Sequence, residues 1–206
     1  MLLKPEEVDE ANHKYGPGGV QVPSVTDVLK ATGFIHQRSG DPTVIDYYMA
    51  RGAWAHKAIG LLEMGTLDWA ALDPRLEPYL AAWKLFKKDT GLIIKNPVRD
   101  MEQARYSIIM NLAGRLDWVG EIPGVGLVLA DNKTGPVQGW TRLQLALYDL
   151  LDDKEPYRVH RLGLELKANG KYQPHWYRDF DDYNVARQAL SCYWWQVGQG
   201  LRTVGG

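Results

Sequence analysis

The stretch GRLDWVGEIPGVGLVLADNKTG, Gly114–Gly135, constrains the fold more than any other part of the chain. It reads as two apolar strands joined by a tight turn at Pro123-Gly124-Val125. Three charges break the pattern: Asp117 inside the first strand, Asp131 and Lys133 at the end of the second. An unpaired charge is costly to bury, so such strands normally exclude it. With that turn, Ile122 lies opposite Gly126 and Asp117 lies directly opposite Asp131. Directly paired residues share a face, with Cβ atoms about 4.5–5.5 Å apart. Lys133 joins them, two residues beyond Asp131. A slip of one residue would separate the acids. In the paired register two carboxylates crowd one spot, and a divalent cation is the natural occupant. Oxygen ligands suit Mg²⁺ or Mn²⁺. The alternative is an ordinary surface pair of Asp131 and Lys133 near a strand end.

The rest of the chain supports one α/β domain, with a central mixed sheet flanked by helices. At 206 residues it is large enough for a proper core. Residues 1–22 read as an irregular segment rich in Gly and Pro. Helices are expected over Pro23–Phe34, Thr43–Met64, Pro74–Asp89, Val137–Leu151 and Asp182–Gln199. Strands are expected over Leu92–Val98 and Gln103–Met110, then in the hairpin. Two more, YRVHRLGLEL and KYQPHWYRDF, flank an Asn-Gly turn.

The net charge of −1 gives no global sign of nucleic-acid binding, although a local basic groove would suffice. A single cysteine, Cys192, excludes an internal disulfide, a CxxC zinc site and a four-cysteine iron–sulfur cluster. That fits a reducing cytoplasm. The opening MLLKPEEVDE is acidic and does not read as a signal peptide, and no run approaches the ~20 apolar residues of a membrane span.

Two further motifs carry chemistry. In RGAWAHKAIGLLEMG, Gly52 lies four residues before His56 and Gly60 four after, so the three stack on one helix face. Each glycine in a helix costs about 1 kcal/mol against alanine, which suggests close approach of something to that face. Glu63, seven residues past His56, is placed to join the site or pair with the histidine. The competing reading is a buried histidine in a tightly packed helix. In TRLQLALYDLL, Gln144 and Tyr148 are four apart beside the Leu143, Leu147, Leu150 stripe. They either touch substrate or satisfy nearby backbone groups. Trp54, Trp118 and Trp140 are candidates to stack on bases, with core packing as the alternative. Arg51, Lys57, Arg115, Arg142 and Lys171 are the basic residues available to track phosphates.

Taken in order, Gly52–His56, Gly114–Asp117, Asp131–Gly135 and Gln144–Tyr148 resemble the GxxxH, G-x-[ILV]-D, [DE]-x-K-[TS]-G and Q-x-x-x-Y motifs of the PD-(D/E)XK nuclease superfamily, in its RecB-like and phage-exonuclease branch. The match runs over about Pro23–Tyr148. The resemblance implies a restriction-endonuclease-like αβββαβ core and a metal-dependent DNA exonuclease of phage-type recombination or repair. An endonuclease of the same fold and a non-catalytic DNA-binding module are the alternatives. It implies one or two Mg²⁺ or Mn²⁺ ions held by His56, Asp117, Asp131 and the Asn132 carbonyl. Asp117, Asp131 and Lys133 would be catalytic. Gln144, Tyr148, Glu102, Arg51 and Arg115 would lie on the substrate side. Several relatives hold an iron–sulfur cluster on four cysteines; this chain would be a cluster-free member. No GxxxxGK[ST] helicase motif is present. The implied partners are linear duplex or single-strand DNA ends. The resemblance also admits a separate single-strand annealing protein and a homo-oligomer.

Overall fold

The structure, a computed structural model, describes residues 1–9, 14–36 and 40–205. Residues 10–13 of the expected irregular segment lie outside the described residues. The remainder of that segment forms short 3-10 turns and a small hairpin of β1 (Val8–Asp9) and β2 (Lys14–Tyr15). Four helices follow: α1 (Val25–Ala31), α2 (Pro42–Glu63), α3 (Glu77–Thr90) and the short α4 (Pro97–Asp100). Then come β3 (Met101–Ser107), β4 (Leu112–Ile122), β5 (Gly126–Lys133), α5 (Thr141–Asp149), β6 (His160–Leu166), β7 (Tyr172–Tyr177) and α6 (Asp181–Gly198).

Local chemistry explains the helix ends. Ser24 and Asp27 cap α1 reciprocally in a capping box. Asp41 caps α2, with Pro42 at its first position. Gly91, at φ 67°, closes α3 in the left-handed conformation. The expected strand over Leu92–Val98 is not formed. Ile93 makes only an isolated bridge to Glu121, and Asn96-Pro97 starts α4, with the Asn96 side chain accepting from the Arg99 N–H. The β3 strand starts at Met101 and ends at Ser107, where the Ser107 hydroxyl binds Asp153 and accepts from the Met110 N–H. The α5 helix starts at Thr141, four residues later than expected.

β3 to β7 form one sheet in chain order. Every neighbouring pair is antiparallel except β5 and β6, which run parallel. A parallel pair needs a crossover, and α5 supplies it. One face packs on α1, α5 and α6 through Leu112, Leu116, Leu129, Leu147 and Tyr193. The other packs on α2 and α3 through Trp83, Phe86, Trp118, Val128 and Leu162. Each of these side chains contributes roughly 1.5–3 kcal/mol through its burial. The outer edge of β3 is covered by the chain's first residues: Leu3 N–H donates to Ala104 and Tyr106 N–H to Met1. The opposite edge strand, β7, carries Pro174.

The hairpin register is the expected one as far as Trp118, but the expected direct pair of Asp117 with Asp131 is not formed. Pairs run from Ile122–Gly126 to Trp118–Ala130. There the regular pattern stops. Leu112 and Leu116 face the α5–α6 layer, whereas Trp118 and Ile122 face the α2–α3 layer. Residues an even number apart in a regular strand share a face, so β4 switches faces between Leu116 and Trp118. Asp117 pairs in neither neighbouring ladder, and its counterpart Glu102 on β3 is skipped too, at φ 48°. The β3–β4 register is the same on both sides, so this is a local lapse of the ladder with one residue unpaired on each strand and none inserted. Among the described residues, no helix is long and apolar enough to cross a membrane.

Candidate metal centre

At this break in the ladder the Asp117 carboxylate reaches the end of β5. The Asn132 N–H donates to Asp117 Oδ2 at 2.6 Å, so a side chain takes the place of the next ladder acceptor. Asp117 Oδ1 lies 3.3 Å from His56 Nδ1, and Glu102 Oε1 lies 3.6 Å from the same nitrogen. One ligand atom each from His56, Glu102 and Asp117 can be chosen so that all lie within 4.8 Å of one another. These groups come from α2, β3 and β4.

The α2 helix is held over the end of β5 by two contacts to backbone carbonyls. His56 Nε2 lies 2.9 Å from the Asn132 oxygen, and Arg51 Nη2 donates to the Thr134 oxygen at 2.7 Å. The two glycines line this approach, but it does not require them: a Cβ at either would make only ordinary contact. A Cβ on Gly52 would sit 3.7 Å from Thr134 Oγ1, and one on Gly60 would sit 3.9 Å from Glu102 Cγ. With Nε2–H donated to a carbonyl, Nδ1 is left facing the two acids. This is the tautomer that a metal-binding histidine uses.

Asp131 is 2 % exposed, and its Oδ2 is 2.6 Å from Lys133 Nζ. Lys133 also donates to Gln144 Oε1 at 3.3 Å, and Gln144 Nε2 donates to the Tyr148 hydroxyl at 3.0 Å. Gln144 and Tyr148 therefore hold Lys133 in place. Gly114 makes room for this chain: a Cβ there would lie 2.7 Å from Tyr148 Cε1.

The electrostatics follow from burial and crowding. Burial raises the Asp131 carboxyl; Lys133 opposes it, Asp117 adds to it, and the result is about 6. Burial lowers His56, but the Asp117 and Glu102 carboxylates outweigh it and hold the imidazole well above its ordinary value. Burial, then the Asp131 charge, raises Tyr148 well above its usual range. Without a cation the centre thus gathers protons and positive partners around its acids. Oxygen and imidazole donors of this kind fit a hard or borderline divalent ion.

Most of the expected site residues come together. His56, Glu102, Asp117, Asp131, Lys133, Gln144, Tyr148 and Arg115 line one cleft of about 780 Å³. Arg115 Nε lies 3.2 Å from Glu102 Oε2, so Arg115 supports that acid. Glu102, expected on the substrate side, stands among the potential ligands instead. Asp131 does not belong to that three-residue group; its carboxylate is turned to Lys133. Asn132 adds a backbone carbonyl, already engaged by His56, and its side chain accepts from Trp118 Nε1. Arg51 lies outside this cleft, stacked near the Tyr48 and Tyr79 rings.

Other residues fall elsewhere. Glu63 does not join the site: it accepts from Trp83 Nε1 at 2.8 Å and pairs with Lys87. Arg142 pairs with Asp182. Trp118 is fully buried core, whereas Trp54 is 48 % exposed at the cleft. Sequence reasoning missed the role of Gly114 as the space for Tyr148, although the Gly stood in a motif. Compared with known proteins, the chain matches no family model and no curated protein.

Proposed function

We propose that this protein is a metal-dependent deoxyribonuclease of the PD-(D/E)XK type, acting as an exonuclease on DNA ends. The observation that supports this best is the convergence of His56, Glu102 and Asp117 beside the Asp131–Lys133 pair. These residues are far apart in sequence, and two of them are set by an irregularity of the sheet. His56, Asp117 and Asp131, with Glu102 and the Asn132 carbonyl, would hold one or two Mg²⁺ or Mn²⁺ ions. A bound ion would supply Lewis-acid activation of water and charge relief at phosphorus.

The chain's own groups do the remaining work. Lys133 Nζ, beside Asp131, can orient an attacking water or donate a hydrogen bond to a phosphate oxygen. Gln144 fixes the lysine's direction through its Oε1, and Tyr148 fixes Gln144. Arg115 keeps Glu102 in place. Water attack on phosphorus breaks one P–O bond and leaves a terminal phosphate and a free hydroxyl.

The test is digestion of end-labelled linear duplex with and without Mg²⁺ or Mn²⁺, comparing wild type, Lys133→Ala and a closed circular control. Metal-dependent loss of the linear form alone, abolished by the substitution, is the expected result. Cutting of the circle would replace the exonuclease with an endonuclease. No cleavage of duplex or single strand with either metal would overturn the enzymatic reading.

A further inference from the structure

The metal centre does not sit at a dead end. A second cleft, of about 860 Å³, opens on the other side of the crossing between α2 and β5. The two clefts share Met49, Gly52, His56 and Lys133 as lining residues. The first contains the acids and leads outward to Trp54 and Lys57, both exposed. The second contains Arg51, Trp140 and Lys167. Away from the metal-binding acids, the charged groups lining the two clefts are mostly cationic. In the second cleft the one acid among the described residues is Glu165, which lies 3.5 Å from His175 Nε2. In the first, Trp54 presents an exposed aromatic face, and in the second, Trp140 lies with its ring centroid 5.2 Å from Lys133 Nζ. Cationic grooves with aromatic faces suit a single-stranded polynucleotide, whose charge is regular and whose bases stack without regard to sequence.

We propose that a single strand straddles the centre: it lies in both clefts at once, with the phosphate to be cut at the neck formed by Gly52, His56 and Lys133. This rests on the nuclease reading above and adds the substrate's path. Gly52 lines the neck from α2. A methyl there would meet only Thr134 Oγ1 at ordinary contact, whereas a larger side chain would fill the neck. A binding site confined to the acidic cleft would need neither Lys167 nor the second cleft.

The experiment reads binding rather than cleavage. A fluorescein-labelled oligothymidylate of about 10 nucleotides is titrated by anisotropy in Ca²⁺. The proteins are wild type, Trp54→Ala at an exposed position and Lys167→Glu at a half-buried one, where the lysine donates to Gln173; neither is one of the catalytic groups. Thermal unfolding of each verifies the fold. Straddling predicts that Trp54→Ala weakens binding roughly 5- to 30-fold, the loss of one stacked base. Lys167→Glu weakens it at least about threefold, and the loss shrinks in high salt. Weakening by only one variant places the strand in a single cleft and overturns the proposal, as does weakening by neither. If wild type binds no strand, the straddling path falls, while the nuclease reading is decided separately by digestion of the linear duplex.

Discussion

The two ends of the β4–β5 hairpin obey different rules. At the turn end, Ile122 and Val128 are buried, apolar and in regular register. These inward-facing side chains serve packing. At the open end, a few residues away, the ladder lapses, Glu102 takes a positive φ, and Asp117, Asp131 and Asn132 are buried. A left-handed non-glycine residue and crowded acids both work against stability. The hairpin and its β3 neighbour therefore hold a stable half and a strained half. The strained half is the one that gathers groups able to act on a substrate.

The largest expected contrast is in activity. Lys133→Ala lowers the single-turnover cleavage rate by roughly 10²–10⁴-fold, with little change in unfolding. Ile122→Ala at the turn end does the reverse. It destabilises by about 2–4 kcal/mol in urea titration and leaves the cleavage rate of the folded fraction intact. If both substitutions act on stability alone, the division between the two halves is lost.

The next effect is that of pH on metal-free protein. Asp131 has its folded-state pKa raised from 3.8 to about 6. The folded state therefore favours its protonated form. That contribution is full below about pH 4 and fades as pH rises through about 6. His56 is raised from 6.5, so its contribution is full below that value and fades at still higher pH. Both trends have one sign: in EDTA, stability falls from pH 5 to pH 8. Asp131→Asn, which mimics the neutral acid, recovers about 1–3 kcal/mol at pH 8 and abolishes cleavage. The stabilisation given by Mn²⁺ grows over the same range, because ligands must shed protons to bind it. Melting curves at several pH values, with and without metal, test this; a flat metal-free profile would remove the strain from the open end.

The smallest effect tests how the two halves communicate. Gly114→Ala pushes on the Tyr148 ring and destabilises by about 1–2 kcal/mol. It also loosens the Gln144–Lys133 contact. Cleavage should fall roughly tenfold while metal binding, followed by Mn²⁺ titration, stays close to wild type. Equal loss of both would mean that Tyr148 serves the ligands instead of the lysine.

Much of this was legible in the residues because it is local. Alternation and the Pro-Gly-Val turn set the hairpin register, and the observed pairs from Ile122 to Trp118 follow it. Gly33, Gly65 and Gly91, all at positive φ just beyond helices, marked three helix ends. What was missed depends on distant partners. The Leu92–Val98 run is apolar enough for a strand, yet only Ile93 finds a bridge, and Asn96-Pro97 turns the chain into a helix. Glu63 is aligned with His56 along α2, but Trp83 and Lys87 from α3 claim it. The lapse of the ladder at Asp117 leaves no mark in composition. It exists because Trp118 goes to one core and Leu116 to the other, a choice made by the helices on each face. That is why Glu102 could be noticed as an acid near the hairpin but not assigned to the ligand group.

The sheet's two margins also bear on how copies of this protein meet. Unpaired strand edges are templates for a further strand, the common route to runaway association. Here Met1 and Leu3 already occupy backbone partners along β3, and Pro174 removes one donor from the short strand at the far side. Neither margin offers a newcomer a full row of donors and acceptors. Any assembly of this molecule is thus steered toward contact through side chains, where shape and charge set the number of subunits, and away from open-ended strand addition.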